Sequence, residues 1–334
     1  MKGIVLPAYN SNIIRAMLGM KVEELPDPRP AGNQLLVEIQ AAPVNPSDIA
    51  FIRGMYNTKK TLPKVAGFEG TGIVTATGDD PEACLLLGKR VSCFSQEDTH
   101  GTWADKFLTT PGQCLVLKEE MPVEQAACFF INPFTAYSIF KTCRQKGAKT
   151  IIQNAAAGQV GGFIRCFAAG SGIKLINIVR KPEHIELLKD NGASYVLCSS
   201  EEGFPDSLKE LAHETGASIA IDAVGGEMTG TILNNMPSGS ELIVYGGLSG
   251  SNIGNIDTLD IIFNGKKVSG FDLNAWMKLQ TKENIAKLSG ELQDMIISGK
   301  IQTGISGIYA FNNIIPALKS YIGNMSAGKI LLTP

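Results

Sequence analysis

The stretch from Lys149 to Lys181, KTIIQNAAAGQVGGFIRCFAAGSGIKLINIVRK, leaves few choices of fold. Thr150-Ile151-Ile152 is a short apolar run that enters a loop of small residues, Asn154 to Gly162. An amphipathic segment, Val160 to Ala169, leaves that loop, Gly170-Ser171-Gly172 stops it, and a second apolar run follows from Lys174 to Val179. Strand, glycine turn, helix and strand within about thirty residues is the minimum length of a parallel crossover. Ala155, Gly158 and Gly161 give the spacing A-x-x-G-x-x-G. Missing side chains at such positions let backbone N–H groups and a helix N-terminus approach a pyrophosphate. The match carries weight because it lies between a strand and a helix; a plain tight turn is the other reading.

The same alternation continues downstream. Helices are expected over Pro182 to Asn191, Pro205 to Thr215 and Glu227 to Met236, each bounded by proline or glycine. Strands are expected at Ser194 to Cys198, Ala217 to Ala223, Ser240 to Gly246 and Lys267 to Leu273. Repeated units of this length imply an α/β fold with a doubly wound parallel sheet. The first part, to about Lys118, differs. Leu35 to Ile39, Gly70 to Ala76 and Lys89 to Phe94 read as antiparallel strands between glycine and proline breaks. With no crossover helices between them, they are expected to pair with near neighbours in a small β-barrel or sandwich. From Pro122 helical segments begin, and the tail (helix 283–298, short strand, helix 311–322, strand 329–332) is too short for a domain and is expected to rejoin the first part. The expected division is 1–121, 122–266 for the nucleotide domain, and 267–334 for its last strand and the return.

Composition excludes several roles. A net charge of -2 without a basic block gives no footprint for nucleic acid. No apolar run is long enough to span a bilayer, and MKGIVLPAYN lacks a signal-peptide core. Seven cysteines without C-x-x-C pairs suggest reduced thiols in a cytoplasm, most of them buried, with Cys128 and Cys166 on apolar helix faces. Three histidines are little material for a triad or a metal cluster.

The second parallel strand ends in Arg180-Lys181, about twenty residues past the glycines, where an acid would hold the ribose of NAD. Two cations there suit a ribose 2′-phosphate, which favours NADPH; solvated strand-end charges are the alternative. Ser199, at the end of the third strand, adds a hydroxyl to the same pocket or is a simple strand-end residue.

Several words of the sequence, in order along the chain, resemble the medium-chain dehydrogenase/reductase superfamily, and within it the zinc-independent quinone reductases and 2-enoyl thioester reductases. They are Val44-Asn45-Pro46-Ser47-Asp48, Arg53-Gly54-Met55-Tyr56, Gly67-Phe68-Glu69-Gly70-Thr71-Gly72, Gly88-Lys89-Arg90-Val91, Gly101-Thr102-Trp103-Ala104-Asp105, Asn132-Pro133-Phe134-Thr135-Ala136-Tyr137, the glycine loop, Asp222-Ala223-Val224-Gly225-Gly226, Tyr245-Gly246-Gly247 and Gly328-Lys329-Ile330-Leu331-Leu332. The resemblance implies a GroES-like β-barrel catalytic domain around an inserted Rossmann domain, and a cytoplasmic homodimer acting on a small-molecule substrate. Where zinc-dependent relatives place ligands, this chain has Pro46, Phe68 and Asn132, which cannot complete a tetrahedral site. The lobe that holds a structural zinc is also missing, so no metal is expected.

Without a metal, hydride needs an acceptor that is already electron-poor: an enoyl thioester, an enone or a quinone. By resemblance Tyr56 donates a proton or hydrogen bond to the reduced substrate; packing at the barrel mouth is the alternative. Asn45 and Thr135 would contact the nicotinamide-ribose end. Ala157, Gly158, Gln159, Val160 and Gly161 would cradle the pyrophosphate, and Val224, Gly246 and Gly247 would line the cofactor. Lys329 either reaches a cofactor phosphate or is a solvated charge. Phe271 and Trp276, in a Gly-Phe-x-Leu-x-x-Trp stretch resembling enoyl reductases, either wall a substrate pocket or pack. Asp222 reads as a strand-end cap. Ala156-Ala157-Gly158 departs from the Asn-Ser-Gly of those enoyl reductases, which keeps quinone reduction in play, and a non-catalytic NADPH-binding sensor or structural protein is the reading from another class.

Overall fold

The computed structural model describes residues 1–334. Contacts divide the chain into two compact units, Pro133–Thr281 and the combination of Met1–Asn132 with Lys282–Pro334.

The Pro133–Thr281 unit is built on one parallel sheet. Its strands are β1 (Thr150–Gln153), β2 (Lys174–Val179), β3 (Tyr195–Cys198), β4 (Ile219–Asp222), β5 (Glu241–Val244) and β6 (Lys267–Gly270), in the spatial order β3-β2-β1-β4-β5-β6. All five ladders are parallel. Every residue of β1 and of β4 is buried, as expected of central strands covered on both faces. On one face Ile152, Ile176, Leu208, Ile232, Leu233 and Leu242 close into a core. A smaller cluster of Ala156, Val179, Leu188 and Cys198 lies around β2 and β3. The reversal of strand order falls between β1 and β4, where loops leaving in opposite directions open a crevice for a ligand in folds of this kind.

The other unit is a β-barrel assembled around the strand Leu35–Pro43, which is buried along most of its length. It pairs antiparallel with Glu69–Thr77, with Lys106–Thr109 and with the closing strand Lys329–Thr333. The three strands expected from the sequence do pair with near neighbours, since Glu69–Thr77 also pairs with Arg90–Phe94, and the closing strand is the expected return of the tail. The closing strand also pairs in parallel with Ile305–Ala310, joined to it through the helix Ile314–Gly323. A parallel pair needs a crossover of that kind, and the chain supplies it in its last thirty residues or so.

One glycine is essential to this barrel. Gly67 has φ +91°, and a Cβ there would lie 2.3 Å from Cδ1 of Trp103. Trp103 is fully buried and its Nε1 donates to the Pro43 carbonyl at 3.1 Å. Gly67 thus lets the next residue, Phe68, turn inward beside the indole. No helix is long and apolar enough to cross a membrane. Cys166, expected in the core, is only half-buried, whereas Cys128 is fully buried.

Candidate functional site

In the parallel-sheet unit the expected cofactor residues lie along the carboxyl ends of the strands. The loop after β1 bends at Ala155, whose φ is +47°, and passes into the helix Gln159–Ala168. Gly158 caps that helix and contributes no side-chain bond, so the first-turn amides of Gln159, Val160 and Gly161 meet an approaching ligand through backbone alone. A Cβ on Gly161 would sit 2.7 Å from the Ala156 carbonyl oxygen, so the close packing of loop on helix requires a hydrogen there. Arg165, one turn further on, reaches back to donate to that same carbonyl, and burial depresses its pKa. Sequence reasoning missed this clamp; a cation three residues past a glycine reads as an exposed helical charge.

Arg180 is exposed at the end of β2, and Lys181 pairs with Glu183 at 3.2 Å. Ser199 donates its backbone N–H to the Val179 carbonyl at 2.8 Å, which brings the ends of β2 and β3 together. At the end of β4, Asp222 accepts from Asn154 Nδ2, from the N–H groups of Val224 and Gly225, and from Thr229 Oγ1, all within 2.9 Å. A carboxylate with four donors is committed to shaping the loop, which agrees with its reading as a cap. A cavity of about 510 Å³ opens beside it, lined in part by Val224, Gly225, Gly226 and Ser249. Gly246 and Gly247 follow β5 at the same edge. Thr135 is half-buried on the helix Asn132–Gln145, Phe271 follows β6 and Trp276 lies on the short helix Leu273–Lys278.

In the barrel unit Asn45 opens the helix Pro46–Ile52, with Pro46 at its first position. Asp48 Oδ2 accepts the backbone N–H of Asn45 at 2.7 Å, and its Oδ1 accepts that of Phe68 at 3.1 Å. The Asn45 side chain donates through Nδ2 to Glu69 at 2.9 Å and accepts from Lys329 Nζ through Oδ1. Glu69 also accepts from the Ile131 N–H at 2.8 Å. Asn45, Asp48, Glu69 and Lys329 are all at most 3% exposed. Lys329 is therefore no solvated charge but an internal cation beside two acids. Burial pushes the Asp48 carboxyl up to about 7 and raises Glu69, with Lys329 pulling both back. Burial likewise lowers the pKa of Lys329.

Tyr56 follows this helix and packs its ring on Phe68, centroids 5.5 Å apart. Gln96 Nε2 donates to the Tyr56 oxygen at 2.8 Å. Phe68 packs in turn on Phe51 at 5.1 Å, and the ammonium of Lys60 lies 5.5 Å from the Phe68 centroid. Lys60 is 4% exposed, and burial brings its pKa down to about 8. Neither Gln96 nor Lys60 was singled out in the sequence.

Comparison with known proteins now bears on this arrangement. Residues 31–131 match the alcohol dehydrogenase GroES-like domain, and residues 160–289 match the zinc-binding dehydrogenase domain. The mitochondrial enoyl-[acyl-carrier-protein] reductase of Xenopus tropicalis is 32% identical over 289 residues, covering 81% of this chain and 79% of its own. That of Rattus norvegicus is 30% identical over 275 residues, covering 81% and 73%. The chain belongs to the medium-chain dehydrogenase/reductase superfamily. Among solved structures, a Mesorhizobium loti protein provisionally described as an NADPH:quinone reductase superposes with a TM-score of 0.93 at 31% identity, covering 100% of this chain and 98% of its own. Membership makes this chain an oxidoreductase that uses a nicotinamide cofactor. The two halves described above are the superfamily's GroES-like barrel and its Rossmann sheet.

No three His, Cys, Asp or Glu side chains are grouped so as to hold a metal ion. Phe68 fills its position with a ring that packs on Phe51 and Tyr56, and Pro46 offers no donor. The acids nearest that place, Asp48 and Glu69, are occupied with backbone N–H groups, Asn45 and the charge of Lys329.

Proposed function

We propose that this chain is a zinc-independent, NADPH-dependent reductase of an activated carbon–carbon double bond, in a 2-enoyl thioester or an enone. The observation that carries the reading is the Tyr56–Gln96–Phe68 cluster: a phenol held by an amide, on a wall that has an aromatic ring in place of a metal ligand. Bound on the glycine loop, a dihydronicotinamide supplies hydride. The barrel residues then have only to polarise the acceptor and deliver a proton, with Tyr56 as the donor. Asn45 is fixed at both ends of its amide, so it presents an unvarying dipole at the start of its helix. Fit of the Rossmann unit to a dinucleotide rests on the uncapped helix start and on the glycine contacts.

A second reading, quinone reduction, is favoured by the likeness to the Mesorhizobium loti protein and by Ala156-Ala157-Gly158. Consumption of NADPH with a crotonyl thioester, a cinnamaldehyde-type enone and 1,4-naphthoquinone separates the two. Tight NADPH binding with no oxidation by any acceptor would refute both and leave a sensor. We further infer a homodimer joined along β6, whose outer edge has no partner in the sheet order, near the exposed Ile262 and Phe263; a monomeric mass in solution would contradict it.

Cofactor choice is tested at the end of β2. Arg180→Ala is expected to cut the preference for NADPH over NADH roughly tenfold, because an exposed charge-assisted bond to phosphate is weakened by solvent. The ratio of kcat/KM for the two cofactors reads this directly. An unchanged ratio would remove Arg180 from the phosphate site.

A further inference from the structure

The segment that carries Tyr56 is tied on both sides. Residues 60–65 face the segment Gln96–His100 and are joined to it by several bonds. Lys60 Nζ donates to the Thr99 carbonyl at 3.0 Å, Thr61 donates through N and Oγ1 to Asp98 at 2.8 and 2.7 Å, and Val65 N donates to Nδ1 of His100 at 3.1 Å. On the other side Tyr9 Oη accepts the Lys60 N–H at 2.6 Å and donates to the Lys60 carbonyl at 3.1 Å. Tyr9, Phe51, Phe68 and Tyr56 form a row of rings with successive centroids 5.3, 5.1 and 5.5 Å apart. The ring of Tyr56 packs at the end of this row, and from the facing segment the Gln96 amide donates to its oxygen at 2.8 Å.

We propose that Gln96 is a positioning residue for Tyr56: its N–H donates to the phenol oxygen, directs the phenolic hydrogen away from Gln96, and stabilises the charge left on that oxygen once the proton is delivered. This rests on the reading of Tyr56 as proton donor. In the step, hydride adds to the β-carbon, and the electron pair of the double bond moves onto the thioester or ketone as an enolate. The Tyr56 O–H bond then breaks as the proton bonds to the α-carbon. Phenolate remains, held by the Gln96 N–H, and water restores its proton. A carboxamide turned the other way would accept the phenolic hydrogen and quench the acid, so the two orientations predict opposite effects.

Charged and titratable groups on the surrounding elements are Arg53, Lys59, Lys60 and Lys64 on the segment of Tyr56, Tyr9 against Lys60, and Glu97, Asp98 and His100 on the facing segment. Asp48 lies behind Phe68 and accepts its N–H. Replacing Gln96 with Leu removes no charge, so a change in phenol titration reports the loss of the amide beside it. The test is a tyrosinate absorbance titration in which Tyr56 is isolated by subtracting the Tyr56→Phe protein, performed with wild type and with Gln96→Leu. Loss of a donor to a charged oxygen is expected to raise the Tyr56 midpoint by about one pH unit or more. On an enoyl thioester kcat should fall about tenfold with KM little changed, and the alkaline limb of the pH profile should move up with the midpoint. Gln96→Glu should raise the midpoint further, since a carboxylate opposes phenolate. An unmoved or lowered midpoint in Gln96→Leu overturns the proposal. Should the Leu variant unfold early in a thermal scan, Gln96→Met keeps the length and serves instead. Full turnover in Tyr56→Phe would sink the proton-donor reading, while the titration would still decide whether Gln96 donates to that oxygen.

Discussion

Replacing Tyr56 with Phe is expected to lower kcat for an enoyl thioester by about 10²- to 10⁴-fold, the usual worth of a positioned acid, with KM little changed. The ring stays on Phe68, so packing is conserved and only the hydroxyl bonded to Gln96 is lost. The size of the loss depends on the acceptor, and this is what makes the variant informative. Hydride addition to an enoyl thioester leaves an enolate whose carbon must be protonated, and that centre is slow to take a proton from water. Hydride addition to a quinone leaves a hydroquinone anion, a phenolate-like species that water protonates readily. The same substitution should therefore cripple thioester reduction and leave naphthoquinone reduction within a few-fold of wild type. Steady-state kinetics on both acceptors check this, and equal losses on the two would show that Tyr56 contributes binding or packing rather than a proton.

Sequence order explains which parts of the molecule were legible beforehand. The loop at Ala155, Gly158 and Gly161 was readable because strand, loop and helix are contiguous and each demands a distinct residue type: buried aliphatics, missing side chains, then an apolar stripe. Asp222 was readable as a cap for the same reason, since it meets Val224, Gly225 and Thr229 within a few positions. The barrel was harder. Its strands are short, and although the tail was expected to rejoin the first part, that its last strand Lys329–Thr333 pairs with Leu35–Pro43 is announced by no local pattern.

The charges in the barrel were the least legible. Lys329 follows a glycine and reads either as a reach to a cofactor phosphate or as a solvated charge, yet its partner Asn45 is 284 positions away and both are buried. Gln96 sits in a segment without periodicity, 40 positions from Tyr56. Lys60 looks like half of a basic pair with Lys59, whereas only Lys59 is exposed. Burial of a long polar side chain is decided by what surrounds it in space, and a single sequence states only its neighbours along the chain.

The buried charges give the second large effect. Lys329→Met should leave Asp48 and Glu69 buried without their cation, a change worth about 3–5 kcal/mol once both acids are ionised. Its dependence on pH follows from the direction of each shift. Burial raises Asp48 from 3.8 to about 7 in the folded protein, so between those values the folded state holds more protons than the unfolded one, and stability falls as pH rises. Glu69 is raised by burial too, and the charge of Lys329 holds both acids lower than burial alone would. Removing that charge lifts the folded pKa values of Asp48 and Glu69 further and leaves the unfolded ones alone, so the deficit of the variant opens as pH rises through about 7. At acidic pH both carboxyls carry protons and need no partner. Lys329, whose own pKa burial depresses, costs folding energy there that Met does not. Thermal unfolding of the two proteins from roughly pH 5 to pH 9 should thus show Tm values that nearly coincide, or favour Met, at the acidic end and separate steadily toward the alkaline end. A constant offset across that range would mean that Lys329 contributes packing alone, and that the acids of the barrel are neutralised by something other than the lysine beside them.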